Sequence, residues 1–171
     1  QMGLSKGKLS EDEARFLCAT IRSLPDAIEQ SMALAEVCQH DALYYQTAQS
    51  LFFIGRGLDF AVAKEGSLKL KEISYVHSEA YEAGELKHGP ISLIVDGMPV
   101  VALATQQALA EKTLSNIKEV KARGANVLLI CRKGLSGVAG VADHVIELPE
   151  VPDLFMPSVA AVPCQMFAYY M

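Results

Sequence analysis

The stretch SLFFIGRGLDFA, Ser50 to Ala61, sets the fold class. SLFFIG is short, apolar and aromatic and ends in glycine, which is the pattern of a buried strand. GRGLDFA then turns away from that strand and opens a helix, with Gly55 and Gly57 giving the backbone room for a tight turn. The same logic recurs further along. MPVVALA (98–104) leads into the helical ALAEKTLSNIKEVKARG (108–124), ANVLLIC (125–131) follows it, and HVIELP (144–149) supplies a fourth strand. Near-continuous apolar strands alternating with helices must be covered on both faces and joined by right-handed crossovers. The expected class is α/β: a three-layer, doubly wound parallel sheet flanked by helices.

Upstream of Ser50, apolar residues recur at helical spacing from Leu9 to about Gln39 (Phe16, Ile21, Ile28, Met32, Leu34, Val37), and SEDE offers a cap and an acidic first turn. Pro25 is expected to begin a second helix there. Residues 1–49 thus read as a helical lead-in and 50–171 as the α/β core of one domain, the number suggested by 171 residues of which 51% are hydrophobic. Leu154 to Met171 carry no charge, but Pro157, Pro163 and Gln165 argue against a membrane span. A buried helix ending at the apolar FAYYM, with no cap, is expected to belong to a fragment of a longer chain.

The 15 basic and 20 acidic residues give a net charge of −5, so no basic field exists to attract nucleic acid or an anionic membrane. Cys18, Cys38, Cys131 and Cys164 are scattered without a C-x-x-C pair and read as small buried hydrophobes of a reducing, cytoplasmic protein. In the turn itself, G-x-G-x-x-x-A resembles a variant dinucleotide fingerprint, yet no acidic residue closes a following strand at the required distance. Gly55 to Ala61 also lacks Ser and Thr, so the turn is read as a structural one rather than as a phosphate cradle.

Chemistry concentrates in KEGSLKLKEISYVHSEAYEAGELKHGP, Lys64 to Pro90. The pattern is helical from Asp59 to about Tyr75, and Glu65, Lys69 and Glu72 at i, i+4 and i+7 stack along one face. Alone, such a row reads as a solvated face with ion pairs worth a few tenths of a kcal/mol each. GELKHGP adds His88 beside a Gly-Pro pair that fixes the backbone and aims the imidazole. If carboxylate, ammonium and imidazole converge, they suit aldose–ketose proton transfer: a carboxylate moving a proton between adjacent carbons, Lys⁺ steadying the enediolate, and His serving the oxygens. His77, Glu79, Glu82, Glu85 and His88 offer metal-ligand types but no established ligand spacing, so no metal is expected, and no cofactor.

These residues resemble a known family. LSKGKLS, LPDAIEQ, GRG, EGSLKLKEISYVHSEAYEAGELKHGP and NIKEVKARG are similar to the second of the two sugar-isomerase (SIS) domains in the isomerase part of the glucosamine-6-phosphate synthase family. The resemblance implies a sheet of about five strands. It implies Glu72 as the base between C1 and C2, Lys69 as its partner near the sugar, and His88 as the residue assisting ring opening. It further implies a homodimer in which His88 reaches the neighbouring subunit's site, with fructose 6-phosphate and glucosamine 6-phosphate bound together with another SIS domain. The family's glutaminase domain, its first SIS domain with Ser/Thr-rich phosphate loops, and its C-terminal tail with a Schiff-base lysine have no counterpart here, so this chain by itself is expected to be inactive. A standalone sugar-phosphate-binding or dimerisation module, and a SIS domain of a related amino-sugar deglycase or isomerase, are the alternative readings.

Overall fold

The computed structural model describes residues 2–171. A single turn α1 (Met2–Ser5) precedes α2 (Glu11–Met32) and α3 (Ala35–Leu43). The core then runs β1 (Ser50–Gly55), α4 (Leu58–Lys69), β2 (His77–Glu82), β3 (Pro99–Ala104), α5 (Ala110–Lys121), β4 (Asn126–Arg132), β5 (His144–Leu148) and α6 (Met156–Tyr170). All neighbouring strands pair in parallel, in the order β2-β1-β3-β4-β5. That order makes the boundary between β1 and β3 a topological switch point, with connections leaving in opposite directions along the sheet.

Strand alternation divides the core in two. Leu51, Phe53, Val101, Leu103, Leu128, Ile130, Ile146 and Leu148 face one layer, together with residues of α3, α4 and α6. Phe52, Ile54, Val100, Ala102, Val127, Leu129 and Cys131 face the other, against Leu114, Ile117 and Val120 of α5. Both faces are dry along the inner strands β1, β3 and β4, which is why those strands read as continuous apolar runs rather than as alternating ones. The uncharged C-terminal segment forms α6, whose Val159, Ala160, Cys164 and Phe167 are fully buried.

The expectations for Pro25 and Cys18 need correction, and two further features of the fold were not read from the sequence. Helix α2 passes unbroken through Pro25, and the chain breaks at Ala33–Leu34 instead. Proline removes one hydrogen bond, and packing of α2 on α6 together with the Ser10–Glu13 capping box outweighs that loss. The helical spacing of Phe16, Ile21 and Met32 gives a helix, but these side chains are exposed (57%, 55% and 57%). Cys18 is likewise exposed, unlike the other three cysteines. Finally, HSEAYE is a strand. Its polar composition conceals β2, which exists because it pairs residue for residue with β1, from Ser50 opposite His77 to Gly55 opposite Glu82, at the sheet edge where polar side chains are tolerated.

Candidate functional site

The two glycines act as a turn. Gly57 adopts φ +56° and ψ −122°, a conformation that a β-carbon disfavours. Gly55 lies so close to the start of α4 that a Cβ there would stand 2.6 Å from the Asp59 carbonyl carbon. The close turn launches α4 back across the sheet, and its remaining contacts fix its height. Gly66 lets Phe53 approach, and Ser67 and Ser78 bond each other (Oγ to Oγ 3.0 Å, Ser78 Oγ donating to Ser67 O at 2.8 Å), pinning α4 to β2.

At its far end α4 does not continue as an α-helix to Tyr75. Residues Leu70–Ser74 form a π-helical turn, a form that recurs at functional sites, and Tyr75 closes it in the left-handed region at φ +58°. The Ser74 hydroxyl donates to the Ala168 carbonyl of α6 at 2.5 Å, and Lys71 Nζ donates to the Ser78 carbonyl at 3.2 Å. This clamped turn carries Glu72 against Lys69: Nζ to Oε2 is 2.6 Å, with Glu65 Oε1 at 3.8 Å on the other side. Hydrogen bonding to Glu72 holds the Lys69 ammonium above its ordinary pKa; partial burial opposes this, and the charges of Glu72 and Glu65 add to it. Lys69 therefore stands as a positive charge held between two carboxylates.

His88 lies elsewhere. It ends a 3-10 turn (Glu85–His88) followed by Gly89 at φ +143° and Pro90, so its backbone is fixed as the sequence suggests. Its side chain is 73% exposed, and its Nε2 stands 3.9 Å from Glu85 Oε2. Among the described residues no hydrogen bond or ion pair joins it to Lys69 or Glu72. The reason is topological: Glu72 precedes β2 and His88 follows it, and six strand residues at about 3.3 Å each make that strand roughly 20 Å long. Lys69 and Glu72 converge within one chain; His88 does not join them. The metal-ligand types also fall apart, into His77 with Glu79 and His88 with Glu85. Among the described residues no three His, Cys, Asp or Glu side chains are grouped to hold a metal ion.

A second polar cluster escaped the sequence reading. Asp59, in the first turn of α4, is 1% exposed and bonded to the loop after β3. Beside it Arg132 closes on Asp153 (2.7 Å), near a cleft of about 460 Å³ lined by Gln107, Arg132 and Glu150 to Asp153. The available signal was an aspartate in an otherwise apolar stretch directly after a glycine turn.

A doubly wound parallel α/β sheet in the order β2-β1-β3-β4-β5 defines the class, and a lysine–carboxylate pair stands in the turn before β2. The chain belongs to the SIS domain family, whose model matches residues 44–171. Over 168 residues it is 48% identical to a glutamine–fructose-6-phosphate aminotransferase [isomerizing] of Caldanaerobacter subterraneus, covering 98% of this chain and 28% of that protein. Over 167 residues it is 47% identical to the protein of the same name from Thermus thermophilus, with 98% and 28% covered. The chain thus spans a little over a quarter of the length of these relatives. Among solved structures it is similar to the C-terminal domain of glucosamine-fructose-6-phosphate aminotransferase from Francisella tularensis, with TM-score 0.91, 36% identity, and 96% of this chain and 46% of that one covered. An Escherichia coli tagatose-6-phosphate ketose/aldose isomerase shares the fold at TM-score 0.74 and 21% identity. Among the described residues no helix is long and apolar enough to cross a membrane.

Proposed function

We propose that this SIS domain supplies the proton-transfer groups of a cytoplasmic glutamine–fructose-6-phosphate aminotransferase, which makes glucosamine 6-phosphate from fructose 6-phosphate and glutamine-derived ammonia. The observation that carries the reading is the Lys69–Glu72 pair on its π-helical turn, in a chain 48% identical over 98% of its length to a protein of that name. Glu72 takes the proton from C1 of the open-chain sugar and returns it at C2. Lys69, held protonated, steadies the negative charge that develops on the sugar oxygen between those steps. Isomerisation of this kind oxidises C1 as it reduces C2 and needs no external oxidant or reductant, so one base and one cation account for the proton transfer between the carbons.

His88 assists ring opening from a second copy. The separation of about 20 Å within one chain supports this assignment, since His88 and Glu72 of a single protomer stand at opposite ends of β2. The functional unit is then a homodimer with shared sites, and the whole of residues 1–171 is one SIS domain within a longer chain. A further SIS domain, a glutaminase domain and a C-terminal segment supply the phosphate contacts, the ammonia and the Schiff-base lysine. This domain alone is inactive, because orientation and electrostatic contacts that raise the rate lie outside it.

The test uses the full-length protein. Glu72→Gln lowers kcat for glucosamine 6-phosphate about 100- to 10,000-fold with little change in KM. Mixing Glu72→Gln with His88→Ala protomers after dissociation and reassociation restores about a quarter of wild-type activity, because half of the dimers are mixed and each mixed dimer holds one intact site. Full activity of Glu72→Gln refutes the assignment of the base. No recovery on mixing, with mixed dimers demonstrated, refutes the shared site.

A further inference from the structure

Doubly wound sheets receive anionic ligands in the crevice beyond the carboxyl ends of their strands, at the switch point. Here that crevice lies between the turn after β1 and the loop after β3, at the end of the strands opposite Glu72. A carboxylate of the chain already stands in it. Asp59 Oδ2 accepts from the backbone N–H groups of Thr105 (2.8 Å) and Gln106 (3.3 Å), and Oδ1 accepts from the Thr105 hydroxyl (2.5 Å). Two consecutive backbone N–H groups and a hydroxyl converging on one anion are the donor set with which strand-end loops hold phosphate. No Lys or Arg is bonded to Asp59 among the described residues; burial raises the pKa of its carboxyl, and these donors act against that rise.

The loop is held in that conformation from behind. Gln106 Nε2 donates to the Asp153 carbonyl (3.1 Å), and Gln107 N donates to Asp153 Oδ2 (3.0 Å). Arg132 reaches Asp153 Oδ1 (2.7 Å) and the Thr105 carbonyl (3.5 Å). The loop therefore keeps contacts of its own, besides those made with Asp59.

We propose that Asp59 is an internal ligand: its carboxylate fills an anion cradle formed by Thr105 and Gln106 at the β1/β3 switch point and so closes this crevice to phosphate esters. The inference stands on the crevice geometry and is independent of the proposed enzymatic reading, since its test reads stability and amide shifts.

The probes are sodium formate and inorganic phosphate, compared with chloride at equal ionic strength, on this chain. Asp59→Ala empties the cradle, and formate or phosphate raises its melting temperature by about 3 °C at about four times Kd, while wild type does not respond. Asp59→Asn keeps the crevice filled and gains nothing from either anion. In wild type the Thr105 and Gln106 amide resonances do not move as phosphate is added. Should Asp59→Ala fail to fold, Asp59→Ser carries the same comparison. A folded Asp59→Ala or Asp59→Ser variant that ignores both anions overturns the cradle, as do wild-type Thr105 and Gln106 amides that shift with phosphate. Rescue by formate but never by phosphate overturns the exclusion of phosphate esters as the role of Asp59.

Discussion

Replacing Gly55 with alanine tests how tightly the turn after β1 sets the position of α4. The new Cβ would stand 2.6 Å from the Asp59 carbonyl carbon, 2.7 Å from its oxygen and 2.9 Å from the Phe60 nitrogen, all backbone atoms that no rotamer change can move aside. Reaching an ordinary contact of 3.4 Å requires the first turn of α4 to retreat by about 0.8 Å. Overpacking of this size costs about 1–3 kcal/mol, here toward the upper end because backbone must yield. Loss of unfolded-state freedom offsets about 0.4–1 kcal/mol, leaving a destabilisation of about 2 kcal/mol. For a chain of this size the midpoint of thermal unfolding falls by about 4–8 °C, measured by calorimetry. The retreat also lengthens the 3.3 Å bond from Gln106 N to Asp59 beyond bonding distance, so the Gln106 amide exchanges faster with solvent. Gly134→Ala separates the causes: at φ +73° with nothing within 4 Å of its Cβ, it suffers backbone strain alone, on the order of 1 kcal/mol. A Gly55→Ala protein melting within about 1 °C of wild type, with unchanged Gln106 exchange, would show that the contact does not set the height of α4.

Two further perturbations probe the edges of the sheet. Asp143 accepts from Lys121 Nζ (2.7 Å to each oxygen) and from Val127 N (2.7 Å); partial burial raises its pKa, but these bonds, with the charges of Lys121 and His144, bring it below the ordinary carboxylate value. A carboxyl lowered on folding stabilises above its unfolded pKa and loses that contribution as pH falls through the folded one. Asp143→Asn therefore melts about 2 °C below wild type at pH 7, a figure reduced for solvent screening, and the gap closes as pH falls below about 4; a gap constant down to pH 2 refutes the linkage. Ser74→Ala removes the clamp from the π-helical turn to α6, so in the full-length protein kcat falls about tenfold more than KM changes, and Ser74→Thr restores it. Wild-type kcat in Ser74→Ala would show that the turn holds Glu72 without the clamp.

Much of the fold was legible because burial on both faces of a parallel sheet leaves a mark in each strand by itself. SLFFIG, MPVVALA, ANVLLIC and HVIELP needed no partner to be recognised, and glycine marked the turn that starts α4. Half of the candidate site was legible for the same reason: Lys69 and Glu72 are three residues apart on one helical segment, so local geometry brings them together. Edge strand β2 was not legible, since only its ladder with β1 outweighs the low strand preference of HSEAYE. Nor was the unbroken α2, where packing on α6 prevails over Pro25.

The sequence by itself determined the α/β class, the glycine turn and the lysine–carboxylate pair, because each is encoded in neighbours along the chain. Tertiary structure alone decided that His88 stands a strand's length from Glu72, and that Asp59 meets Thr105, 46 residues away, at the switch point. Contacts between distant segments depend on strand order and register, which local periodicity does not encode.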